Sequence, residues 1–181
     1  MSYGILLLRV VVGGTLFAHG TQKLFGWWGG GGPRGTGGFF GGLGFRAPLV
    51  MATLAGLGEA SGLLFALGLL TPLAALGMTT VMLVAIWAVH RRNGFFSTNG
   101  GLEFPLVLAS AAVAVAATGP ARFSLDRAIG WDGHISGLWW GVGVAGVAIA
   151  IAAFVVGALR TTPAQTSAPA EEPDREHLQA A

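Results

Sequence analysis

Six ionisable side chains stand within or beside long apolar runs of this sequence: Arg9, His19, Lys23, Glu59, His90 and Glu103. Charge is costly in hydrocarbon, so each must face protein or water and find a partner. Histidine exchanges protons near neutral pH, carboxylates accept protons and hydrogen bonds, and an ammonium donates, so the set suits proton transfer or the holding of a polar head group. His19 and Lys23, four residues apart, share one helix face. His90 and Glu103 flank the connection between the third and fourth apolar runs, which brings them to the same membrane level. These four are the candidate catalytic group, and His19, Lys23 and Trp27 are the candidate cofactor contacts. Taken singly, Lys23 also reads as a snorkelling side chain, His90 as a solvated helix end, and Glu103 as a carboxylate favoured at a helix N-terminus.

Glu59 lies eleven residues into its run, about 16 Å at the helical rise and therefore near the bilayer centre. Arg9 is expected about one turn outward of that level, within reach of a long guanidinium stem. An Arg9–Glu59 pair is therefore expected, either as a buried ion pair that fixes helix register or as a proton or substrate site.

The elements that position these groups are set by composition. Of the 181 residues 53% are hydrophobic and 10% charged, and the mean hydropathy is +0.68. Soluble domains run near a quarter charged, so the chain reads as an all-α integral membrane protein in contact with the lipid bilayer. A hydrocarbon core needs about 20 helical residues to cross it. The apolar runs supply five pieces: Tyr3 to Lys23, Pro48 to Leu70, Pro72 to His90, Leu102 to Thr118 and Ile135 to Leu159. Nothing basic precedes the first run and Arg9 interrupts it, so it reads as a retained helix rather than a cleaved signal.

Lys23, Arg34, Arg46, Arg91, Arg92, Arg160 and Arg175 fall on one side of this arrangement, Arg122 and Arg127 on the other. The positive-inside rule then expects the N-terminus outside and the tail in the cytoplasm. Residues 27–44 are packed with glycine and read as a flexible loop or lid; no strand or correctly placed lysine makes them a phosphate loop. Leu70-Thr71-Pro72 reads as a tight turn, and Ser124 as the cap of a short interfacial helix. Gly58/Gly62 and Gly137/Gly141 have the spacing of close helix contacts. Residues 161–181 are proline, alanine and acid without apolar period, and are expected to be disordered.

The chain has no cysteine, which excludes disulfides, thiolate chemistry and covalent haem attachment. Two histidines on neighbouring helices raise non-covalent haem or a metal, but there is no second pair and no H-E-x-x-H helix; neither is expected. The formal charge of +2 is small and scattered, which argues against nucleic acid.

The segments LLLRVVVGGTLFAHGTQKLFG, GLGEASGLLFALGLLTPLAAL, VMLVAIWAVHRRNGFF and NGGLEFPLVLASAAVAVAATGPARFSLD together resemble the DoxX family of small bacterial membrane proteins, roughly from Leu6 to Arg127. The resemblance implies a four-helix bundle over residues 3–127, to which residues 135–160 add a fifth, C-terminal transmembrane helix, in a bacterial plasma membrane. It also implies redox biology: the related DoxD proteins are associated with thiosulfate:quinone oxidoreductase, and mycobacterial relatives with a complex of superoxide dismutase and a sulfurtransferase-like protein. Two functions are open at this point. One is the membrane subunit of a quinone-linked oxidoreductase, without a covalent or thiol redox centre of its own and with a quinone at His19, Lys23, His90 and Glu103. The other is a non-catalytic membrane anchor or assembly platform for soluble redox partners; the partners expected are the bilayer and soluble redox enzymes or a second copy of the chain.

Overall fold

Proline and serine decide where the apolar runs stop and bend. In the computed structural model, which describes residues 2–161, the first run is α1, Ser2–Phe25. The second begins at Pro48, where a missing N–H costs a helix nothing, as α3 (Pro48–Ala60). It breaks at Ser61, whose hydroxyl donates to Gly58 O at 2.6 Å and Ala74 O at 3.1 Å, and resumes as α4 (Gly62–Leu67). Such back-bonding by serine bends helices. After a left-handed Gly68 and Leu70, α5 (Thr71–Ala88) starts with Pro72 in its first turn. It is followed by 3-10 turns at His90–Asn93 and Ser97–Asn99, so His90 stands just past the helix rather than within it. The remaining helices are α6 (Glu103–Thr118), α7 (Leu125–Ala128, capped by Ser124) and α8 (Leu138–Ala158).

Among the described residues, four spans are long and apolar enough to cross a membrane: α1, α3 with α4 (Pro48–Leu67), α5 and α8. The α6 helix is shorter, 16 residues or about 24 Å of rise. It nonetheless lies in the bundle, packed against both α5 and α8, which also pack on each other, while α1 runs along α3 and α4. Leu16, Phe65, Met78 and Val115 fill the centre. Backbones touch where glycine allows it: a Cβ on Gly13 would strike Gly62 O, and one on Gly20 would strike Ala60 N. The paired spacings read from the sequence do not act as single faces, because the chain bends. Gly58 meets Gly77 and Val81 of α5 whereas Gly62 meets α1, and Gly141 packs closely on α6 whereas a Cβ on Gly137 would find open space.

The glycine-rich 27–44 stretch departs from the expected loop. Gly32–Gly42 forms a helix, α2, that packs on α3 and α1. Pro33 fits its first turn, Gly37 leaves room for Leu49, and the buried Phe40 sits edge-on to Phe45 with centroids 5.3 Å apart. Burial of that aromatic pair offsets the poor helix propensity of glycine. The end of α8 is fastened to the α2–α3 turn: Arg46 N donates to Leu159 O at 3.0 Å, Thr161 N to Gly44 O at 2.8 Å, and Arg160 Nε to Leu43 O at 2.7 Å. The expected disordered tail lies, beyond Thr161, outside the described residues.

Candidate functional site

The two ends of α1 carry two separate polar centres. Towards its N-terminus Arg9, only 1% exposed, donates Nε to Phe65 O at 3.1 Å, Nη2 to Ala66 O at 3.0 Å and Phe123 O at 2.8 Å, and Nη1 to Pro120 O. These acceptors belong to the last turn of α4 and the segment after α6; Phe65 O also accepts from Gly68 N at 3.0 Å, while the others lie at or beyond a helix end, where carbonyls lack intrahelical donors. Beside it the fully buried Asp126 accepts from Leu70 N at 2.8 Å and, through its other oxygen, from Thr71 N at 3.0 Å and Thr71 Oγ1 at 2.6 Å. A carboxylate at the first turn of α5 satisfies two orphan N–H groups and suits the helix dipole.

The expected Arg9–Glu59 pair is therefore corrected. Arg9 stands level with Phe65 and Ala66, six to seven positions and about 10 Å further along the span than Glu59, and its donors are taken by carbonyls. Glu59 pairs with Lys23 instead, Nζ donating to Oε1. The register explains it: Lys23 lies against Gly56 of α3, and its four-carbon stem spans the one turn to Glu59. Glu59 is 4% exposed, and its second oxygen, Oε2, is buried with no hydrogen-bond partner.

This pair looks into a cleft of about 810 Å³ between α1, α3, α5 and α6, partly covered by Phe39 and Phe40 of α2. Its walls are mostly apolar, among them Leu16, Met51, Val81 and Leu108; Glu59, Lys23, His19, Thr80, His90 and Ser97 are its ionisable or hydroxylic members. His90 Nδ1 donates to Gly100 O at 2.7 Å, which leaves Nε2 as its other functional nitrogen.

Of the residues singled out from sequence, His19, Lys23 and His90 do meet in one cavity, and Glu59 joins them. Glu103 does not line it: its Oε2 accepts from Ser97 N at 2.9 Å and Ser97 Oγ at 2.8 Å, so it fastens the α5–α6 connection. Trp27 also stands apart, exposed and packed on Phe25 with centroids 5.2 Å apart. It follows a left-handed Gly26 and is not among the residues lining the cleft. Asp126 and Thr80 were missed. Asp126 lies beside the legible Ser124 cap, but its partners are some 55 positions distant; Thr80 is one of two adjacent threonines in an otherwise apolar run.

Several apolar helices around buried polar centres define a multi-pass membrane protein. The DoxX family model matches residues 4–91, just under half of the sequence, and this stretch, which holds α1 to α5 and both members of the ion pair, is similar to the DoxX family. The Gly-Gly-x-Glu that opens α6 lies beyond the matched residues. Neither a curated protein nor a solved structure matches the chain.

Proposed function

We propose that the cleft binds a quinone-type carrier and that the protein is the membrane subunit of a quinone-linked oxidoreductase. The observation that carries this reading is an ion pair between the half-buried Lys23 and the buried Glu59, one carboxylate oxygen of which is unpartnered, among the residues lining an apolar cleft of about 810 Å³. That volume lies within the roughly 300–1,000 Å³ usual for small-molecule sites, and few convergent polar groups among apolar walls are their ordinary chemistry. The apolar walls take the tail, while Lys23 and His19 contact the oxygens of the head group. His90, at the end of α5, is placed to exchange protons with water. The excess of basic residues at the Lys23 end argues that the cleft opens towards the cytoplasm of a bacterial cell. Electrons pass between the carrier and a soluble redox partner, since the chain has no thiol centre of its own.

The test is titration of the purified protein in nanodiscs with a short-chain quinone and the matching quinol. Saturable binding that weakens in Lys23→Met supports the reading. Absence of saturable binding of either redox form overturns it and leaves the anchor for soluble partners.

A further inference from the structure

Given a carrier in the cleft, the unpartnered oxygen of Glu59 bears on which of its redox forms is bound, and this selectivity rests on the carrier-site reading. A buried acceptor without a donor is costly, and native structures rarely leave one. Oε1 of this carboxylate takes the one hydrogen bond that Lys23 Nζ makes among the described residues, whereas Oε2 is buried and takes none. A carboxylate paired with an ammonium is an acceptor only. Whatever fills the cleft beside it must therefore bring a donor.

A quinone head group cannot, because both of its oxygens are carbonyl acceptors and would face Oε2 with like partial charge. A quinol can. Its hydroxyl donates to Oε2 while the same oxygen accepts from one of the two remaining N–H groups of Lys23, so one ligand atom completes both members of the pair. Thr80 supplies a second contact of the right kind: the residue lines the same cleft, and its Oγ1 is likewise buried without a partner. The contact of Gly58 with Gly77 and Val81 brings α3 and α5 together at this level, which sets Thr80 and Glu59 on neighbouring walls. A threonine hydroxyl both donates and accepts, so it holds the head group without choosing between redox forms; the choice belongs to Glu59.

We propose that the cleft selects the reduced, hydroxyl-bearing form of the carrier, a quinol, through a hydrogen bond donated to Glu59 Oε2. The experiment is calorimetric titration of the natural protein in nanodiscs, under anaerobic and reducing conditions for the quinol, with three short-chain ligands: the quinol, the matching quinone, and the quinol dimethyl ether. The ether keeps ring and oxygens but has no O–H. A hydrogen bond to a charged group makes the quinol bind about tenfold or more tighter than the quinone, with the ether no better than the quinone. In Glu59→Gln the preference falls to within about threefold, because the amide N–H₂ donates to a quinone carbonyl. Should that variant not fold, the ether decides by itself in the natural protein. Quinone binding as tight as that of the quinol, or an ether as tight as the quinol, overturns the selectivity and leaves the cleft as a carrier site. No saturable binding by any of the three removes the carrier reading together with it.

Discussion

The two polar centres of α1 are built from similar parts to opposite ends. Around Arg9 the groups are saturated: four carbonyls surround one guanidinium, and Asp126 spends both oxygens on the start of α5. Around Lys23 one carboxylate oxygen remains unsatisfied, and the space beside it is a cavity rather than packed side chains. Both centres bury at least one charged group, Arg9 and Asp126 in the first and Glu59 in the second, yet only the first closes on itself. A polar group that serves the fold is completed by the fold, and one left open at the wall of a cleft is available to a ligand.

This contrast can be broken experimentally, and the largest effect belongs to the saturated centre. Arg9→Leu leaves several buried carbonyls without donors at about 1–3 kcal/mol each, so unfolding in detergent should show a loss of at least about 3 kcal/mol. A melting temperature unchanged from the natural protein would mean that the Arg9 centre does not hold the helix ends. Next comes the ion pair. Lys23→Met strands the Glu59 charge at roughly 3–5 kcal/mol, and combining it with Glu59→Gln should restore most of that loss. Arg9→Gln with Glu59→Gln should instead add within about 0.5 kcal/mol, since the two sites share no partner. Strong coupling between Arg9 and Glu59 in this cycle would return them to a single unit.

Smaller effects sharpen the assignment of the cleft. His19→Ala removes one donor to the head group, so quinol affinity should fall about 3- to 10-fold while the melting temperature stays within error. An unchanged affinity would take His19 out of the site. The smallest effect is expected at Trp27: Trp27→Ala, on an exposed residue away from the cleft, should change stability by no more than about 0.5 kcal/mol and ligand affinity not at all. A clear loss of affinity there would show that the head group lies near α2 rather than beside Glu59.

Much of the fold was legible because hydrocarbon imposes length and composition on whatever crosses it. Apolar runs, bounded by Pro48 and Pro72 and by charged ends such as Arg91-Arg92, marked the helices, and Ser124 marked the cap of α7. The rarity of ionisable residues within those runs likewise picked out Arg9, His19, Lys23 and Glu59 as consequential. Which of them touch was decided by tertiary structure. Partner choice depends on the axial offset between α1 and α3, and that offset is set where Gly13 meets Gly62 and Gly20 meets Ala60, contacts 40 or more positions apart that no local period encodes. The same holds for α2: glycine-rich sequence has weak helix propensity by itself, and only burial of Phe40 against Phe45 and of Gly37 beneath Leu49 makes that stretch helical. Local chemistry thus determined which residues need partners, and packing of distant backbones determined which partners they have.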